Sequence, residues 1–198
     1  MSRTRYVPGR PGWIGYIGVD DVDACAARIK EAGGGVHHAP EDIPGIGRFA
    51  VVADPQGAAF VLFKGASDQS PQAPAPGTPG HVGWHELHAR DGVSAFPFYA
   101  EFFGWTKAET MDMGPMGIYQ LFAAGAEPIG GVLTKVEEMP VPCWLYYFNV
   151  EAIDAAMERV TAHAGKVING PHQVPGGSWI AHCFDPQGAM FALVAPKR

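Results

Sequence analysis

Two stretches of the chain share one rhythm of apolar and polar positions. Residues 13–19 (WIGYIGV) and 144–150 (WLYYFNV) are runs of β-branched and aromatic residues, the composition of strands. An acidic residue follows each, Asp20 or Glu151. Then apolar residues recur three or four apart: Val22, Ala26 and Ile29 in one copy, Ile153, Met157 and Val160 in the other. That period lays them on one face of a helix. Gly34 or Gly165 stops the helix. The pattern next predicts a short strand at 35–38 or 166–169. After it come prolines, Pro40 and Pro44 or Pro171 and Pro175, which mark an irregular loop. Two further strands close each copy, joined by Asp-Pro-Gln-Gly at 54–57 and 185–188. Asp and Pro suit the first two positions of a type I turn, so the tetrapeptide is read as turn chemistry, not as a catalytic aspartate.

The two copies align without a gap. The differences 144−13, 165−34 and 185−54 are all 131, over some fifty residues. Such a register marks duplication of a βαβββ unit. A third, diverged unit lies between them. HVGWHELHARD (81–91) reads as a strand, and GVSAFPFYAEFFGW (92–105) as a helix with Ala95, Phe98, Phe102 and Phe103 on its apolar face. Pro97 is expected in the first turn, where proline is tolerated. TKAETMDM, GIYQLFAA and PIGGVLTK read as three more strands. The expected class is α+β. Residues 1–64 form a single half-domain (unit A), 65–80 a Pro/Ala/Gly-rich linker, and 81–198 a complete two-module domain (units B and C).

Composition narrows the function classes. The chain has 198 residues, 47% of them apolar and 17% charged, a globular balance. Net charge is −6 and the basic residues are scattered, which argues against a nucleic-acid partner. No apolar run nears the roughly 18 residues of a membrane span. Basic residues without an apolar stretch at 1–13 do not read as a secretory signal. Three cysteines, far apart and without CxxC spacing, give no disulfide framework and suit a cytoplasmic home.

The repeated unit, with FYAEFFGW at 98–105, YIGVDDVDA at 16–24 and the two DPQG hairpins, resembles the vicinal oxygen chelate superfamily. That group spans glyoxalase I, bleomycin-resistance proteins and extradiol dioxygenases. The similarity is closest to a tandem glyoxalase-like branch whose members carry four units; here the unit expected before Trp13 is missing. The resemblance implies that paired modules form a curved mixed sheet enclosing a cup. It also implies a divalent metal held in the cup by His, Gln or Glu side chains. Carried over one by one, the ligand positions fall on Trp84, Leu145 and Ala192, and in unit A on Ile14 and Val61. None of these binds a metal, so no cofactor is expected.

Strand alternation places Trp84, Glu86 and His88 on one face, which the family register turns inward. Glu86 and His182 are the catalytic or anchoring candidates; a structural glutamate bonded to backbone or to a histidine is the alternative for Glu86. The copy of His182 in unit A is Val51, so the duplicated fold does not require a histidine there. Trp84, His88, Tyr119, Tyr147 and Trp179 are candidate walls of the cup, and core packing is the plainer role for such aromatics. A nonstandard divalent site from Glu86, His88 and His182 is the other cofactor alternative. His37, His38, His163 and His172 are expected on loops or helix ends, in solvent. The leading expectation is a metal-free protein binding a small organic molecule in the B–C cup. The rival is a lyase or isomerase acting on a carbonyl compound, with Glu86 moving a proton. Unit A, lacking a partner module, is expected to expose an apolar sheet and to drive a homodimer, through that face or through sheet edges.

Overall fold

The computed structural model describes residues 11–67 and 74–198. The basic N-terminal stretch through residue 10, and the linker residues 68–73, lie outside them. The first repeat forms β1 (Tyr16–Gly18), α1 (Val22–Glu31), β2 (Gly35–Ile43), β3 (Gly47–Ala53) and β4 (Ala59–Gly65). The second forms β5 (Val82–Ala89), α2 (Gly92–Phe103), β6 (Thr106–Asp112), β7 (Ile118–Ala123) and β8 (Pro128–Thr134). The third forms β9 (Cys143–Asn149), α3 (Ile153–Ala162), β10 (Lys166–Gln173), β11 (Trp179–Phe184) and β12 (Met190–Ala195). The class is α+β and the unit is βαβββ. Strand order is β1-β4-β3-β2 in a four-stranded mixed sheet and β10-β11-β12-β9-β5-β8-β7-β6 in an eight-stranded one. No helix among the described residues is long and apolar enough to cross a membrane.

Local chemistry places the helices. Asp21, one residue later than expected, caps α1 through a 2.9 Å bond from the Ala24 amide. Asp91 caps α2 by accepting from the Val93 and Ser94 amides. Gly104, at φ +67°, ends α2 in the left-handed conformation that glycine adopts without strain. Since α2 begins at Gly92, Pro97 sits past the first turn and removes one intrahelical bond.

The proline-marked stretches differ from the sequence expectation. β2 runs on through Pro40 to Ile43, and β10 runs on through Pro171 to Gln173. The ladder shifts register between His38 and Glu41, and between Asn169 and His172. A proline cannot donate to a ladder, but a strand that bulges where the proline lies loses nothing by it. His172 thus lies on a strand and not on a loop.

Contacts divide the chain into two compact units. One holds described residues 14–67 and Leu87–Trp144; the other holds 11–13, 74–86 and Leu145–Arg198. In the first unit, α1 buries Val22, Cys25, Ala26 and Ile29. α2 brings Phe98, Tyr99 and Phe103 against Phe60 of β4. Tyr99 stacks on Trp105, which stacks on Phe122. The first repeat therefore shares a core with the helix of the second. The other face of its sheet carries Ile14 and Tyr16, 41% and 60% exposed.

The Asp-Pro-Gln-Gly turns explain part of that sharing. Each aspartate closes its own turn: Asp54 accepts from the amides of Gln56, Gly57 and Ala58, and Asp185 from those of Gln187 and Ala189. The first copy also reaches α2. Gln56 bonds both backbone groups of Asp91 and the Ser94 hydroxyl, and the Tyr99 hydroxyl donates to Asp54 at 2.8 Å. Asp54 is 3% exposed.

In the second unit, α3 and strands β9–β12 bury Ile153, Ala156, Ala181, Cys183, Leu193 and Ala195. Burial pushes the Cys183 thiol up to about 11.

Two tests follow from this packing. Asp54→Ala removes the side-chain acceptor of three amides and of the Tyr99 hydroxyl, so it should cost about 2–4 kcal/mol, against about 1 kcal/mol for Asp185→Ala, in urea denaturation. The raised Cys183 pKa means that the unfolded chain ionises first on going alkaline. Stability from this group is whole below pH 9 and is lost up to about pH 11. Cys183→Ala should flatten the decline of denaturation midpoint across that window.

Candidate functional site

One face of β9–β12 is covered by α3; the candidate chemistry lies on the other. Alternation fixes which residue goes where. Phe148, Ala181, Cys183, Phe191, Leu193 and Trp179 pack with α3. Leu145, Tyr147, Ile180, Met190, Ala192 and Val194 turn the opposite way and pack together with Trp84 of β5. His182 alternates with Ala181 and Cys183, so it joins this second face.

The ladder aligns four residues in one row across the sheet. Tyr147 pairs with Ala192, Ala192 with His182, and His182 with Asn169. Tyr147 and His182 are therefore two strands apart, roughly 10 Å at the backbone. They meet because the residue between them is an alanine, fully buried at 0% exposure. The Tyr147 hydroxyl lies 2.9 Å from Nε2 of His182. The same hydroxyl donates to Oε1 of Glu86 at 3.0 Å. A phenol has one proton, so while it donates to the carboxylate it accepts from the imidazole. Beyond His182, Nδ2 of Asn169 lies 3.5 Å from Nδ1, and Nε2 of His172 lies 2.7 Å from Oδ1 of Asn169. Tyr147 is buried and Glu86 and His182 are half-buried, whereas Asn169 and His172 are exposed.

The first repeat supplies an internal control. Its row is Tyr16, Val61, Val51 and His38. The tyrosine is kept, but valines stand where the third repeat has Ala192 and His182. The βαβββ fold packs either way, so the polar row is an addition that folding does not demand.

Among the sequence candidates, Glu86, His182 and Tyr147 come together, and Trp84 lies in the apolar floor beside Tyr147. Trp179 lies on the α3 face instead, with the Arg198 guanidinium 5.2 Å above its ring. Alternation along β11 requires this, since Trp179 and His182 are three residues apart. His88 is buried at the end of β5. Tyr119 of β7 lies flat on Gly131 of β8, where any β-carbon would overlap its ring. Sequence reasoning missed Asn169 and His172. Asn169 falls on the strand expected at 166–169 but reaches His182 through a register shift after Val167, and His172 stays on the strand because the ladder shifts again across Pro171.

The positions to which the resemblance assigns chelating side chains do not fit a divalent ion. Trp84, Leu145 and Ala192 offer an indole and two aliphatic groups, packed together in the floor. Among the described residues no three His, Cys, Asp or Glu side chains cluster as a metal site would require.

The chain matches the family model described as Glyoxalase/Bleomycin resistance protein/Dioxygenase superfamily over residues 13–62 and 79–193. It is 36% identical over 189 residues to the anthracycline biosynthesis protein DnrV of Streptomyces peucetius, covering 92% of this chain and 65% of that protein. It is 33% identical over 190 residues to the putative glyoxylase CFP32 of Mycobacterium bovis, covering 94% of this chain and 70% of that protein. The chain thus spans about two thirds of the curated relatives it matches. Among solved structures, the Mn(II)-bound glyoxalase of Novosphingobium aromaticivorans superposes with a TM-score of 0.63 at 17% identity, over 91% of this chain and 62% of that one. The 2,3-dioxygenase LapB of Pseudomonas sp. KL28 gives 0.59 at 14% identity, over 88% and 67%. At these identities the structural likeness shows the fold. The repeat, the strand order and the match along most of its length establish that the chain belongs to the Glyoxalase/Bleomycin resistance protein/Dioxygenase superfamily.

Proposed function

We propose that this family member binds a small, neutral organic molecule on the Glu86–Tyr147–His182 face, without a resident metal. One observation carries the reading. Where the resemblance calls for a chelating carboxylate stands Ala192, and Tyr147 and His182 join above it. The apolar floor of Trp84, Leu145, Ile180 and Val194 suits a flat or alicyclic ligand. The polar trio supplies a few oriented anchors, the usual division of labour in a small-molecule site. Glu86 meets such a ligand as an acceptor, which favours hydroxyl or amine donors over carboxylates and phosphates. The relatives suggest two sets of probes: polycyclic hydroxyketones, from DnrV, and small carbonyl compounds, from the putative glyoxylase.

A second reading is catalytic. Three titratable groups bonded in series are what proton transfer needs, and Glu86 is placed to take a proton from carbon next to a carbonyl. In that reading the protein is an isomerase or lyase, and Tyr147 holds Glu86 in position. For assembly we propose a homodimer formed through the exposed Ile14–Tyr16 face of the first sheet or through sheet edges.

Two experiments test the site. In thermal shift, hydroxyl-bearing neutral probes should raise the midpoint, whereas Mn, Ni, Zn and Fe ions should not. Glu86→Gln should weaken the best probe roughly tenfold, one charge-assisted hydrogen bond. A stabilising metal, or equal binding by the variant, overturns the proposal. Loss of turnover with retained binding in Glu86→Gln selects the catalytic reading. Tyr147→Phe separates Glu86 from His182 and should lower stability in urea by about 1–2 kcal/mol; no change would mean that the bridge is not formed.

A further inference from the structure

The bonds around His182 have a direction. An amide nitrogen only donates, so Nδ2 of Asn169 requires Nδ1 of His182 as acceptor. A neutral imidazole accepting at Nδ1 carries its proton on Nε2, the atom that faces Tyr147. Tyr147 then accepts from His182 and passes its own proton to Glu86. At the outer end, Oδ1 of Asn169 accepts from Nε2–H of His172, the bond that goes with this facing of the amide. Every proton in the row points towards Glu86.

We infer that Asn169 and His172 lock His182 in its Nε2–H tautomer and thereby commit the Tyr147 proton to Glu86. The inference rests on the site proposed above and adds two positioning residues to it. Neither touches the floor of the site; both act through His182. Two register shifts in β10 bring them there: one between Val167 and Asn169 sets Asn169 opposite His182, and one across Pro171 sets His172 opposite Ile180. The first repeat has no such lock: His38 stands at the Asn169 position, opposite Val51, and Val51 has no ring to orient. The physical consequence is selectivity. With His182 turned to the other tautomer, Nε2 would accept the Tyr147 proton and Glu86 would lose that hydrogen bond.

Long-range ¹H–¹⁵N correlation spectra of His182 test the lock with no ligand present. A site that binds nothing would therefore leave this result intact, and the two proposals fail separately. In the wild-type protein Nε2 should carry the proton and Nδ1 should show the shift of an unprotonated ring nitrogen. Asn169→Asp replaces the donor by an acceptor and should move the proton to Nδ1, or protonate both nitrogens. His172→Ala frees the amide to turn and should give a mixture of tautomers, with the wild-type backbone spectrum elsewhere. A wild-type His182 protonated at Nδ1 overturns the inference, and so does Asn169→Asp with an unchanged tautomer. The wild-type measurement stands even if a variant fails to fold.

Discussion

A strand shows its side chains to two sides, and in this protein a helix covers only one of them. That constraint orders the third repeat. α3 takes Ala181, Cys183 and Leu193, and each neighbouring position in sequence is forced to the opposite face. There the chain places an apolar floor and, in a single row, Tyr147, Ala192, His182 and Asn169. The small side chain in the middle of the row lets two large polar ones meet. A residue longer than alanine at 192 would stand where the phenol reaches the imidazole.

The same fold solves the packing differently in its first copy. Val51 and Val61 fill the row there, and the sheet is no less complete. Comparison within one chain separates what the fold needs from what has been added to it. The Asp-Pro-Gln-Gly turns show the same division: the aspartate closes the turn in both copies, and the Gln56 side chain is also bonded to the start of α2. One motif is structural twice over and joins two repeats once.

Much of this was legible in the residues. The 131-residue register fixed the repeats, and apolar spacing placed all three helices. Alternation put Glu86 on one face with Trp84, and the Val51 counterpart singled out His182. What the sequence could not give was the length of β10. Pro171 reads as a break, and only a ladder that bulges at the proline makes it harmless. His172 is hidden by that break, whereas Asn169 falls on the expected strand at 166–169 and is hidden only by the register shift that sets it opposite His182. Trp179 is a different case: its ring was assigned to the site by type, though its odd spacing from His182 already sends it to the α3 side. The tyrosine bridge was not legible either, since it joins strands that are not neighbours.

The central claim is that phenol, imidazole and carboxylate are bonded to one another above an alanine, and hold no ion. Anomalous diffraction from crystals grown with manganese tests it most directly. The account predicts the Tyr147 hydroxyl within hydrogen-bonding distance of both Glu86 and His182, with no anomalous peak within bonding distance of any of them. A manganese peak coordinated by Glu86 and His182, with Tyr147 displaced, would contradict it.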